Sequence, residues 1–229
     1  LSGMLIDKEE HIALLRKLLA ELPQRPELPP ALGRLMIVGS PLDNLDLLRL
    51  VEDELGAIVV TDDTCTGTRY CYGITPSSLD GDPLEAIADR YLLGRAPCPN
   101  KHSVTRWIQC ISCPYRAVGC FQLAPAPRGE LAENISLPMP KRMCRFRHML
   151  QLAASHKVEG VLVVIQKFCD VHGFDYPHVA QVFEGVGVPT QLIDVENVIS
   201  PGQISTRVQA FLEMLQPVEY LIEPGILPE

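Results

Sequence analysis

A chain of 229 residues with 47% apolar and 21% charged side chains fits one large domain or one domain with additions, long enough to bury a substantial core. Its net charge of −8 argues against a general nucleic-acid binder, whose affinity rests on neutralising phosphates, but still allows a local basic pocket. No apolar run approaches the roughly 20 residues of a membrane span. The start, LSGMLIDKEEHIALL, lacks the basic and apolar blocks of a signal peptide, so the expected compartment is the cytoplasm, without a membrane partner.

Beginning on Leu1 with Met4 just inside, the chain reads as a fragment or a late start. Residues 8–21, KEEHIALLRKLLAE, place Ile12, Leu15, Leu18 and Leu19 on one helical face. The stretch LPQRPELPPALG follows, with four prolines between Pro23 and Pro30, and reads as a linker. Next come a short apolar strand, RLMIVGS, and a helix, LDNLDLLRLVEDELG, with Asp43 or Asn44 near its cap and Gly56 as its stop. AIVVTDD is a second strand. After an irregular middle come a helix (RFRHMLQLAASHKVEG), a strand (VLVVIQ) and a helix (DYPHVAQVFEGVG) opened by an Asp175 cap, with Pro177 in its first turn. The strand PTQLIDVE and the helix ISTRVQAFLEML close the pattern.

Strands alternating with helices predict βαβ units: an α/β domain of about four parallel strands, covered by helices on both faces. The expected boundaries are 1–33 for the helix and Pro-rich linker, 34–216 for the α/β domain and 217–229 for a tail. Residues 101–140 form a long irregular insertion.

In such sheets ligands gather at the carboxyl ends of the strands. There the sequence places Gly39 and Ser40, Asp62 to Cys65, Lys167 to Cys169, and Glu196 with Asn197. No dinucleotide fingerprint or Walker lysine loop is present. In TDDTCTGTRYCYG, Asp62 or Asp63 can orient a group or cap a helix, and Arg69 can hold a phosphate or carboxylate or simply pair with the acids. Cys65 can be a ligand or sit beside one.

QKFCDVHGFDYP leaves three readings open for Cys169: a nucleophile with His172 as base, a metal or cluster ligand, or a core thiol. His172 and His178 suit hydrogen-bonded packing better than ligation. Eight cysteines without a secretory signal do not suggest a disulfide framework. CISCPYRAVGC, with Cys110, Cys113 and Cys120, is a moderate zinc or small-cluster signal in aperiodic surroundings, whereas Cys71 and Cys144 read as bland thiols. The basic group Lys101, Arg106, Arg116, Lys141, Arg142, Arg145 and Arg147 reads as a solvated face, or as partners for coenzyme A phosphates or an acidic protein.

Taken in order, GSPLDN, VVTDDTCTGTRY, DPLEAIADRYL, APCP, QKFCDVHGFDYP and GQISTRVQAFLEML resemble the carboxyl-terminal domain of the 2-hydroxyacyl-CoA dehydratase family, related to ATP-dependent benzoyl-CoA reductase subunits. The resemblance covers about residues 5–100 and 141–216, with 101–140 as extra sequence between APCP and the next helix. It implies a Rossmann-like domain of an iron–sulfur subunit whose [4Fe-4S] cluster is shared with a missing domain or partner subunit. It also implies an acyl-CoA thioester substrate, a homologous companion subunit and an ATP-dependent iron–sulfur activator that injects one low-potential electron.

On that resemblance Cys169 is the expected iron ligand, with Cys65 and Cys98 as further cofactor-binding residues. Ser40, Asp62, Asp63, Arg69 and Lys167 are the expected catalytic or pocket-lining group. The alternatives are a non-catalytic accessory or electron-transfer module, and a zinc-stabilised binding domain built on Cys110, Cys113 and Cys120.

Overall fold

The computed structural model describes residues 5–26, 30–42, 45–71, 81–88, 145–195 and 201–216. The expectations for Asp43, Asn44, Cys98, Cys110, Cys113, Cys120, Cys144, Glu196, Asn197, the 101–140 insertion and the 217–229 tail lie outside these residues. So do those for Lys101, Arg106, Arg116, Lys141 and Arg142, and for the side chains of Cys71 and Arg147.

The chain divides into two compact units, Leu1–Pro30 and Ala31–Glu229. The first holds helix α1, Lys8–Glu21, followed by a single 3-10 turn, Leu22–Gln24. Asp7 caps α1: its carboxylate accepts from the Glu9 and Glu10 backbone N–H groups, and those two acids favour the positive end of the helix.

The second unit contains, in chain order, β1 Arg34–Gly39, α2 Asp46–Arg49 running into a π-helical turn Leu50–Glu54, β2 Ile58–Thr64, α3 Thr68–Cys71 and α4 Pro83–Ala88. It continues with α5 Arg145–Ser155, β3 Gly160–Gln166, α6 Asp170–Glu184, β4 Thr190–Val195 and α7 Pro201–Glu213. The strands form one parallel sheet in the order β2-β1-β3-β4. The α/β class with helices on both faces is therefore as the alternation predicts.

The central strands β1 and β3 carry apolar residues at nearly every position because both faces are covered, and successive side chains point to opposite faces. Met36, Val38, Val161, Val163 and Ile165 join one core with Met149 and Leu150 of α5 and Val182 and Phe183 of α6. Leu35, Ile37, Leu162 and Val164 join the other, with Leu47 and Val51 of α2 and Val208 and Phe211 of α7. Each fully buried aliphatic side chain contributes about 1.5–3 kcal/mol of transfer free energy.

Strand order reverses direction at β1. The chain passes from β1 to β2 on one side, then returns to place β3 on the other. The β1–β3 gap is thus the topological switch point, where parallel sheets open a crevice. Here the end of β1 has no room for a side chain facing β3. Gly39 has φ of +140°, and a Cβ on it would fall 1.9 Å from the Val164 carbonyl oxygen, so only glycine fits.

One boundary differs from the sequence expectation. Helix α6 begins at Asp170, with Cys169 as its N-cap residue, so Pro177 lies inside the helix and Asp175 is not a cap. Pro177 has no N–H to offer the Gly173 carbonyl, a cost that tertiary packing of Val179, Val182 and Phe183 offsets.

Candidate functional site

The carboxyl ends of β1, β2 and β3 bring most of the sequence-predicted residues to one edge. After β1, Ser40 is fully buried and extends the strand ladder with its side chain. Its backbone N–H donates to the Val164 carbonyl at 2.9 Å, and its Oγ accepts from the Gln166 N–H at 3.1 Å. The Gln166 side chain in turn donates to the Pro41 carbonyl. Ser40 thus fastens the floor of the switch point.

The two adjacent acids of β2 have separate tasks, as neighbours on a strand must. Asp62 organises the turn that follows. Its carboxylate accepts from the Thr64 and Thr68 backbone N–H groups and from both threonine hydroxyls, the hydroxyl contacts at 2.8 Å. Gly67 completes the turn, because a Cβ there would lie 1.9 Å from Asp62 Oδ1. Asp62 and Thr68 also line an open groove along β2 with Leu152 of α5 and His156 just after it.

Asp63 stands beside Val38 in the sheet register and so faces the α5–α6 layer. It is fully buried and meets two guanidinium groups. Arg69 donates to it through Nε at 3.2 Å and through an NH2 group at 2.7 Å. Arg145, the first residue of α5, donates to the other side of the same Asp63 oxygen and reaches Asp175 of α6 at 2.8 Å. The result is a continuous buried array, Arg69–Asp63–Arg145–Asp175, in which every member is at most 5% exposed. Two positive and two negative charges balance, which is how such groups tolerate burial.

Burial alone pushes the Asp63 carboxyl up. Arg145 and Arg69 outweigh it and hold Asp63 below the ordinary carboxylate range. For Arg145, burial works downward while Asp63 and Asp175 raise it further above its usual value. His148, buried next to the array, is pushed down by burial and by the two arginines, against the pull of Asp63.

Above the array sits the thiol of Cys65. Its Sγ lies 3.5 Å from His172 Nε2 and 3.4 Å from an Arg69 NH1 group. Burial, with Arg69 and Arg145 adding to it, lowers His172 to about 4, so the imidazole is neutral at pH 7. The imidazole of QKFCDVHGFDYP therefore faces the thiol of TDDTCTGTRY, 107 residues away.

Cys169 is half-buried at the junction of β3 and α6, packed against the α5–α6 core. Its neighbour Phe168 adopts φ of +70° with its ring 91% exposed, an uncommon backbone for a bulky residue. Lys167 is exposed beside it.

Three of these partners were missed or misread from sequence. Arg145 reads in the sequence as part of a basic solvated or phosphate-facing group, yet it is completely buried. Asp175 reads as a helix cap and proves to be an ion-pair partner. His148 gives no motif at all.

Among the described residues, no group of three or more His, Cys, Asp or Glu side chains is arranged to hold a metal ion. Cys65 and Cys169, neither in a disulfide, are soft sulfur donors of the kind iron–sulfur clusters use. They fit as part of a ligand set rather than as all of it.

A family model described as 2-hydroxyglutaryl-CoA dehydratase, D-component, matches residues 1–116 and 127–215. The match runs through most of the 101–140 stretch, so the unmatched part is shorter than the sequence resemblance suggests. The chain is 28% identical over 211 residues to lactoyl-CoA dehydratase subunit beta of Anaerotignum propionicum, covering 91% of this chain and 45% of that one. It is 25% identical over 215 residues to the (R)-phenyllactyl-CoA dehydratase beta subunit of Clostridium sporogenes, covering 93% and 46%. The chain thus spans just under half the length of these relatives.

Proposed function

This chain belongs to the 2-hydroxyglutaryl-CoA dehydratase D-component family, and on that footing we propose that it is part of an iron–sulfur subunit of a radical 2-hydroxyacyl-CoA dehydratase or a related acyl-CoA reductase. It acts on an acyl-CoA thioester with a homologous companion subunit and an ATP-dependent iron–sulfur activator, in the cytoplasm. The observation that carries this reading is the approach of Cys65, after β2, to His172, three residues beyond Cys169, at the carboxyl edge of a parallel sheet beside its switch point.

Cys169 ligates a [4Fe-4S] cluster, with Cys65 and Cys98 as further ligands and the remainder from a second domain or the companion. When bound, the cluster supplies one-electron reduction at low potential. The chain's own residues prepare the place. Ser40 fixes the β1–β3 floor, Asp62 shapes the turn bearing Cys65, and Asp63 with Arg69 supports that turn from beneath. Lys167, exposed beside Cys169, brings positive charge to the thioester.

The test is anaerobic conversion of lactoyl-CoA or phenyllactyl-CoA to the enoyl-CoA by this chain with companion, activator and ATP. Loss of turnover in Cys169→Ser, with a marked slowing in Lys167→Ala, is expected; full turnover in Cys169→Ser would contradict the assignment. The second reading is an accessory or electron-transfer module that keeps the fold and performs no dehydration. Cluster binding without any acyl-CoA conversion, companion and activator present, would select it.

A further inference from the structure

We propose that Arg145 is a positioning residue, a buried clamp that holds the turn bearing Cys65 against the helix that carries Cys169 and His172. This deepens the dehydratase reading and rests on it for its purpose, though not for its geometry.

The argument starts from connectivity. Cys65 belongs to the turn after β2, whereas Cys169 and His172 belong to the start of α6, which follows β3, and β1 lies between β2 and β3 in the sheet. Among the described residues, no backbone ladder joins that turn to α6. Side chains make the link. Asp63, two residues before Cys65, is gripped by Arg69 from the same turn and by Arg145 from α5. Arg145 simultaneously holds Asp175, one helical turn beyond His172. A single planar guanidinium thus bridges two carboxylates on two different elements, which its fixed fork of donors allows and a lysine ammonium does not reproduce.

The location is informative too. A fully buried arginine is disfavoured by desolvation. An apolar residue would fill that space at less cost to folding. What an apolar residue cannot do is select one spacing between the turn and α6, and the Cys65–His172 approach of 3.5 Å depends on that spacing. Buried ionic groups that fix register are the best-attested case of such a role.

The test compares variants of the full, chelator-treated chain by iodoacetamide labelling of Cys65 and Cys169, followed by peptide mass mapping. Arg145→Lys and Asp175→Asn each perturb the clamp without touching Cys65, and Leu47→Ala serves as a destabilised control from the opposite core. The expected result is Cys65 labelling at least fivefold faster in Arg145→Lys and Asp175→Asn than in Leu47→Ala, at temperatures where all are folded. If Arg145→Lys does not fold, Asp175→Asn decides. Cys65 labelling no faster in the clamp variants than in Leu47→Ala would overturn the proposal. Labelling does not involve iron, so a wild-type complex without iron would remove the dehydratase reading and leave the clamp standing.

Discussion

The two faces of the sheet are built on different principles. Against α2 and α7 the core is apolar throughout, with Leu35, Ile37, Leu162 and Val164 meeting Leu47, Val208 and Phe211. Against α5 and α6 the core begins the same way, around Val163, Met149 and Phe183. Towards the carboxyl edge it then gives way to Asp63, Arg69, Arg145, Asp175 and His148, all buried. Apolar packing depends on volume and tolerates exchange, whereas a buried charge array depends on every partner being present. The functional edge of the molecule lies on the second kind of ground.

The comparison is broken most severely by Asp63→Ala, which leaves two buried guanidinium groups facing each other. A loss of about 3–5 kcal/mol is expected, measured by urea unfolding. A loss below about 1 kcal/mol would mean the array is not buried in solution. Leu47→Ala on the apolar face should cost about 2–5 kcal/mol, yet Leu47→Met less than about 1.5 kcal/mol, because that face responds to volume alone. A charge-preserving Arg145→Lys should be tolerated less well than Leu47→Met, and the reverse order would erase the distinction.

Acid should act on the charged face first. His172 titrates near 4 in the folded chain against about 6.5 when unfolded, so the unfolded state binds the extra proton between those values. Its contribution is complete above about pH 6.5 and is lost as the pH falls towards 4. Asp63 acts in the same sense at lower pH, its contribution present above about 3.9 and lost as acid reaches its depressed folded value. Unfolding followed from pH 7 to 4 in wild type and His172→Gln checks this: the variant's profile should be flatter. The smallest effect is expected at Phe168, whose left-handed backbone is relieved by Phe168→Gly, with a gain of about 1 kcal/mol offset in part by the glycine's entropy.

The apolar face was legible in the sequence because its signal is local: strand runs such as RLMIV and VLVVI announce themselves within six residues. So was the edge at which Ser40, Cys65 and Cys169 gather, since the parallel-sheet rule needs only the strand ends. The charge array was not legible, because its contacts join residues 63, 69, 145 and 175, and no window of sequence holds them together. Local rules also misdirected. Asp175 and Pro177 carry the usual marks of a helix start, but α6 had already begun at Asp170. Two adjacent acids, Asp62 and Asp63, look equivalent in a string; strand alternation and the pairing of Asp63 with Val38 separate the turn-former from the buried ion.

Iron and acid-labile sulfide, assayed on this chain prepared anaerobically with its companion subunit, test the central claim most directly. The account predicts equal amounts of iron and sulfide in the wild-type complex and their loss in Cys169→Ser, with the companion still bound. Iron and sulfide retained unchanged in Cys169→Ser, or absent from the wild-type complex, would contradict it.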